Sequence, residues 1–442
     1  MEACRKRRLP SCHMDTPRTN HALRWLAGAA AFSLSAVMCW AAVRHAVAAH
    51  WAGSMQLDQE RRAAAWEGDN PEHWYWLGRY YQLDFEHSDV QQAIVNYRKA
   101  AELSPGSAEY WLGLAEAQET AVQPAEAEKS FRRAEQAYPL SAEVAWRFGN
   151  FLLRQGRQDE AYQQIYRALS VQPSLTALAI SRCWQSTQDI DKILKLALPA
   201  KPDAYWGAID FLVDARQPEA AMAVWKRLMS GNSSFRPQRS FRMVDMLIET
   251  GHPEDAHRVW QQSLTAAAVA GSAQENASVV WNGGFEEDLL NGGMGWRFRT
   301  VPGAELSFDR RIVHTGERSL RVVFDGSTNV DFQQPWQYVV LQPNTRYRLA
   351  AYFQTEGLTT SSSIRLELEE THFGGPVEAT ADLSGTQPWA ASETEFTTGP
   401  ETRLLRLVLR RRPSPKLDNK ISGTLWMDDV SLAPLVESSA LR

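Results

Sequence analysis

The sequence predicts three architectures in series: a single N-terminal transmembrane helix, an α-α solenoid of helical pairs, and a C-terminal antiparallel β-sandwich. Three observations carry this. A long apolar run follows a basic head. Pro105, Pro139 and Pro173 recur at a 34-residue spacing, the mark of a repeat. Past about residue 280 the apolar period changes from helical to two.

Arg5, Lys6, Arg7, Arg8, Arg18 and Arg24 make residues 1–24 a basic cytoplasmic head. Residues 25–49 read as a transmembrane signal-anchor. The run 25–43 is long enough to cross a bilayer, Arg44 and His45 interrupt it, and 46–51 extends it weakly. Excess Arg and Lys before the run place the N-terminus in the cytoplasm and the bulk of the chain beyond the inner membrane, in the periplasm. The competing reading is secretion after cleavage near residue 48, at Ala46-Val47-Ala48. Residues 50–68 form a stalk or first capping helix, and Asp69-Asn70-Pro71 is a helix start.

The helical array covers 69–268. Trp74, Leu77, Gly78 and Tyr81 open its first unit, which closes with Ala93, Tyr97, Ala100 and Pro105. Trp111, Ala127, Phe131 and Ala134 precede Pro139, and Ala145, Ala161, Ile165 and Ala168 precede Pro173. Small residues (Gly78, Ala115, Gly149; Ala93, Ala127, Ala161) fall where helices cross closely. Tyr97, Phe131 and Ile165 plug the gap to the next unit. Each proline ends a helix, having no N–H and clashing with the preceding turn. One pair cannot bury its apolar face alone, so several must stack. After Pro173 the phase blurs into three weaker pairs, at 175–198, 205–229 and 238–267.

This spacing resembles the tetratricopeptide repeat (TPR), with its W-x2-L-G-x2-Y, A-x3-F and closing P. The resemblance implies an inner groove for protein partners. Its lining would be Tyr75, Arg79 and Gln82, then Leu112, Glu116 and Glu119, then Trp146, Asn150 and Leu153. Trp146, beside the Trp-phase position that Ala145 occupies, is a candidate anchor, with packing as the alternative. The mixture of aromatic, amide and both charges suits a protein surface. A nucleic-acid groove would be mostly Lys and Arg.

Residues 269–280 are rich in Ala, Gly, Ser and Gln and read as a linker, 281–435 as the β-sandwich, and 436–442 as a tail. Leu320, Val322 and Phe324, then Tyr347, Leu349, Ala351 and Phe353, then Ile364, Leu366 and Leu368, then Leu405, Leu407 and Leu409 each occupy alternate positions. These are half-buried strands, about nine in all.

The landmarks Asn282-Gly283-Gly284-Phe285-Glu286, Gly295-Trp296, His314-Thr315-Gly316 and the closing segment 423–432 resemble carbohydrate-binding-module-like, galactose-binding-type jelly rolls. The resemblance implies aromatic glycan platforms at Trp336, Tyr338, Tyr352 and Trp389, with Arg365 and Glu367 on a neighbouring polar face. Core packing is the alternative for each. It also implies a structural calcium held by Glu286 and Asp428 or Asp429, hard oxygen ligands of the right kind. The alternative is that these acids only satisfy loop amides.

Of 442 residues, 44% are hydrophobic and 22% charged, which excludes wholesale disorder. A net charge of −5 and a pI near 6.1 argue against bulk nucleic-acid binding. Cys4, Cys12, Cys39 and Cys183 form no CxxC or Cys/His metal spacing, and Cys183 reads as core. HExxH, G-x-S-x-G, P-loop and G-x-G-x-x-G motifs are missing from the sequence, and no catalysis is expected. Asp428 and Asp429 are adjacent on a strand, so they are expected to point to opposite faces rather than form an acid pair. The expected function is a membrane-anchored extracytoplasmic scaffold. Its array binds protein partners and its sandwich contacts a glycan or another subunit. By analogy of fold, its setting is exopolysaccharide or cell-envelope assembly. The alternatives are a glycan-binding protein with the solenoid as spacer, and, further off, a cryptic glycoside hydrolase.

Overall fold

The structure, a computed structural model, describes residues 21–52, 56–231, 233–269, 278–359, 364–371, 376–417 and 419–435. The basic residues of the head up to Arg18, with Cys4 and Cys12, lie outside the described residues, as do 270–277 of the linker, His372 and the tail. Two compact units result, Met1–Val171 and Gln172–Arg442.

The first unit begins with α1 (His21–Ala52) and α2 (Leu57–Trp66). Three TPR-like helical pairs follow: α3 (Pro71–Leu83) with α4 (Val90–Leu103), α5 (Ala108–Thr120) with α6 (Pro124–Ala137), and α7 (Ala142–Arg154) with α8 (Gln158–Val171). Arg24–Ala52 of α1 is long and apolar enough to cross a membrane; a signal sequence passes the same test. Helix starts are written in the sequence. Asn70 accepts from the Glu72 amide with Pro71 in the first turn, and Asp89 accepts from Gln91 and Gln92. Each such cap contributes about 1 kcal/mol. Tyr97 of α4 is wedged against two glycines. A Cβ at Gly78 or Gly113 would fall 2.6 or 2.7 Å from its ring, so any other residue at either position would push the ring out. Phe131 stacks on Phe148 at 5.4 Å and touches Phe151 at 5.0 Å.

The second unit holds α9 (Thr176–Thr187), α10 (Ile190–Leu196), α11 (Pro202–Asp214), α12 (Pro218–Met229), α13 (Phe241–Glu249) and α14 (Pro253–Ala266). Cys183 on α9 is buried. Nine strands follow among the described residues: β1 (Ala304–Asp309), β2 (Ser319–Asp325), β3 (Phe332–Val340), β4 (Arg346–Leu358), β5 (Ile364–Glu370), β6 (Pro376–Ala379), β7 (Gly385–Thr397), β8 (Leu404–Arg411) and β9 (Ser422–Pro434). They form a five-stranded sheet, β1-β2-β9-β4-β7, and a four-stranded sheet, β3-β8-β5-β6. All pairings between these strands are antiparallel. The alternate residues expected to point inward do so. Leu320, Val322, Leu349, Phe353 and Met427 from one sheet and Leu366, Leu368, Leu405, Leu407 and Leu409 from the other share one apolar core with Phe285 and Trp296. Burying each such side chain contributes about 1.5–3 kcal/mol.

The compact units part at residue 171, ahead of the expected linker, because the last helices are packed on the β domain. Trp281 meets Trp260 of α14 edge-on at 5.5 Å. The 291–297 loop lies under the same helices. A Cβ at Gly292 would fall 2.2 Å from the Phe241 ring, and one at Gly293 (φ 59°) 2.5 Å from Trp260. Arg297 of this loop pairs with Asp245 of α13. Gly293→Val is therefore expected to destabilise the second unit by about 1–3 kcal/mol through overpacking. Urea unfolding of the full chain checks this; an unchanged midpoint would mean the loop yields without cost.

Candidate functional site

The expected groove lies on α3, α5 and α7, and the structure divides its members. Tyr75 is half-buried in an aromatic group with Tyr97 at 5.7 Å, Tyr110 at 5.2 Å and Trp76 at 5.7 Å. The Arg79 guanidinium lies over Trp76 at 5.0 Å and Tyr75 at 5.9 Å, a cation–π arrangement. Burial, reinforced by Glu109, pushes the Tyr75 hydroxyl well above the usual tyrosine value. Gln82 accepts a hydrogen bond from the Tyr97 hydroxyl at 2.7 Å, which fixes it against the repeat core.

In the next row Glu116 pairs with Arg147, which also donates to Glu143 at 2.7 Å. Glu119 receives two bonds from Arg154, at 2.6 and 2.8 Å. These half-exposed pairs tie α5 to α7 but contribute only about 0–1 kcal/mol each. Leu112 does not line the groove. It is 4% exposed, and having no polar atom to keep in water it joins the cluster of Phe131, Phe148 and Phe151. Trp146 is half-buried, Asn150 donates to the Trp146 carbonyl at 2.8 Å, and Leu153 packs against the core. Reading the groove by offset from the signature tryptophan misses Tyr110, Arg147 and Arg154. Charge complementarity to Glu116 and Glu119 one repeat earlier was the signal for the two arginines.

On the β domain the four candidate aromatics fall into two groups. Trp336 and Tyr338, on β3 of the four-stranded sheet, meet edge-on at 4.9 Å. Arg297 lies over both, at 5.1 and 5.6 Å. Trp336 also borders a cleft of about 360 Å³ with Arg299, Asp331, Gln333, Gln334 and Arg406. Farther along this sheet, the expected polar face is an ion-pair lattice. Glu367, fully buried, accepts from Arg365 at 2.7 Å and from Arg412. Glu369 pairs with Arg406 and with Arg412 at 3.3 Å. Burial alone would raise the Glu367 carboxyl; the hydrogen bonds from Arg412 and Arg365 overcome it and hold it below the usual range.

Tyr352 on β4 and Trp389 on β7 belong to the other sheet. The His314 ring is stacked on Tyr352 at 3.7 Å, with Trp389 at 5.6 Å. One face of Tyr352 is thus already covered. The three acids expected to hold calcium all bind the segment 314–318. Glu286 accepts from the amides of Glu317 (2.9 Å) and Arg318 (3.4 Å). Asp428 accepts from the amides of His314 (3.0 Å), Thr315 (3.3 Å) and Asp429 (2.8 Å). Asp429 takes the His314 Nδ1 at 2.6 Å and the Thr315 hydroxyl at 2.7 Å. Among the described residues no group of three or more His, Cys, Asp or Glu has a metal-holding arrangement.

The expectation that Asp428 and Asp429 face opposite ways is corrected. The β4–β9 register slips between Ala350 and Tyr352, and Asp429 has a left-handed backbone (φ 49°). That bulge turns both carboxylates onto the same segment. They act as a peg holding residues 314–315 to β9.

No family model matches the chain. The type IV pilus assembly protein PilF of Pseudomonas aeruginosa is 35% identical over 83 residues, 19% of this chain and 33% of PilF, so the chain spans about a third of that relative's length. The crystal structure of MamA is 17% identical, with 39% of this chain and 85% of MamA covered and a TM-score of 0.26. A CBM4 structure is 14% identical, with 35% and 99% covered and a TM-score of 0.28.

Burial pushes the Asp428 carboxyl up from 3.8 to about 6. The folded state therefore holds this proton more tightly than the unfolded chain. The contribution is complete below pH 3.8 and is lost as pH rises through about 6. The stability of the unaltered chain relative to Asp428→Asn, from urea unfolding, is expected to fall across that window as pH rises. A pH-independent difference would show that the carboxyl does not titrate there.

Proposed function

We propose that this chain is a membrane-anchored, extracytoplasmic scaffold that works by binding rather than by catalysis. α1 is its single-pass anchor, with the N-terminus cytoplasmic. The array is the partner-binding element, and the two sheets form a jelly-roll β-sandwich that contacts a glycan or a further subunit. The observation that carries the reading is the half-exposed surface on the repeats where Arg79 lies over Tyr75 and Trp76, and Tyr75 in turn meets Tyr110. Aromatic and arginine side chains of this kind anchor protein partners. A relative over 83 residues is named as a type IV pilus assembly protein, and assembly of an envelope structure or an exopolysaccharide is the setting that fits.

A second reading, glycan binding with the array as spacer, is favoured by the cleft beside Trp336. The cleft sets the Trp336 indole, with Arg297 and Arg406 over its ring, beside Arg299, Asp331 and Gln333, which supply the hydrogen-bond groups that a sugar ring needs.

Replacing Tyr75, Arg79, Glu116 and Asn150 together by alanine is expected to weaken partner capture by about tenfold or more while leaving helix content unchanged by circular dichroism. Affinity capture from detergent-solubilised membranes checks it; an unchanged set of partners would remove the groove from the reading. For the second reading, Trp336→Ala is expected to abolish retardation in polysaccharide-containing gels. If the unaltered chain is retarded by no polysaccharide, the glycan reading falls and the scaffold reading stands.

A further inference from the structure

The longest helix changes character part-way along. From 24 to 43 every residue of α1 is exposed, including Trp25 (80%), Phe32 (77%) and Trp40 (61%). At 1.5 Å per residue this stretch measures about 30 Å, the thickness of a bilayer's hydrocarbon core. From Arg44 onward the same unbroken helix has a buried stripe. Arg44, Val47, Ala48, Trp51 and Ala52 are wholly or partly covered, while His45, Ala46, Ala49 and His50 stay exposed. That is the spacing of one helical face. The face is packed on α2, where Ala63 and Ala64 are buried as fully as Ala48. Trp66 of α2 meets Trp40 at 6.3 Å and Trp51 at 6.0 Å.

Polar contacts lock the same junction. Arg44 pairs with Asp69. His45 Nδ1 lies 3.2 Å from Glu67. Glu67 in turn reaches His73 of α3 at 3.1 Å and accepts from Asn70 at 3.1 Å. The end of α1 is thus joined through one carboxylate to the first helix of the array.

We propose that α1 is retained, not cleaved, and runs unbroken out of the bilayer to dock through residues 44–52 on α2, so that the array is held in a fixed attitude against the lipid headgroup layer. This deepens the membrane-anchor reading and rests on it. The sequence Ala46-Val47-Ala48 has the residues of a cleavage site, but a signal peptidase takes its substrate extended, and here those residues are helical with Ala48 covered. Severing the chain there would strip Asp69 of Arg44, Glu67 of His45 and Trp66 of Trp40. Trp40 and Trp66 fall at the end of the exposed stretch, where an interfacial aromatic belt belongs.

Single cysteines placed at 45–52 in full-length chain lacking Cys4, Cys12, Cys39 and Cys183 test this. They are labelled in native membranes, opened to the extracytoplasmic side, with a membrane-impermeant maleimide. Positions 47, 48, 51 and 52 are expected to react about tenfold or more slowly than 45, 46, 49 and 50. Ala48→Trp, with the reporter at 47 or 51, is expected to erase the contrast. Uniform reactivity, or none at any position, overturns the docking. Carbonate extraction and intact mass separate the two levels. A chain released by carbonate with its N-terminus near residue 49 sinks the anchor and the docking together. A retained anchor with uniform labelling sinks the docking alone.

Discussion

Close approach of backbones, permitted only where side chains are missing, is the constraint on which both units depend. Tyr97 occupies the space left by Gly78 and Gly113 and so sets the separation of α3, α4 and α5. Gly207 gives Thr176 its place, with a Cβ there only 2.9 Å from the threonine side chain. Gly292 and Gly293 do the same for Phe241 and Trp260. Dispersion contacts of this density are individually weak and collectively decisive. The Tyr97 wedge, the Thr176 contact and the seat of the last pair on the β domain are three uses of one device.

Charge plays a different part. The Arg147–Glu116 and Arg154–Glu119 pairs are too exposed to supply much stability. They fix which face of α7 meets α5. The lattice of Glu367 and Glu369 with Arg365, Arg406 and Arg412 is far less exposed. Removing one partner there would leave a buried charge uncompensated. The outer face of the four-stranded sheet is therefore stiff where it is polar, which is the condition for presenting Trp336 and Tyr338 in a fixed geometry.

Much of this was legible in the sequence, and the limits have physical causes. Strand faces follow from a period of two, so Leu320, Leu349, Leu366 and Leu407 point where alternation puts them. The repeat register follows from proline and small-residue spacing. The exposure of the expected groove residues was legible only in part, because a position equivalent to Tyr75 goes inward when it holds Leu112. Asp428 and Asp429 misled because alternation assumes extended backbone, and a left-handed residue at a bulge breaks it. The grouping of aromatics was not readable at all. Trp336 and Tyr352 are close in sequence but belong to different sheets, a fact of strand order that no local pattern encodes.

The contact of Trp281 with Trp260 has a consequence for how such a solenoid grows. An open array ends on an apolar surface ready to accept another pair. Here the surface of α13 and α14 is already occupied by Trp281 and the glycine loop. The β domain is a stopper. A duplicated pair inserted after α14 would have to evict it. Variation in length among chains built this way should spare this junction, because Trp281 and the glycine loop leave α14 no free face for a further pair.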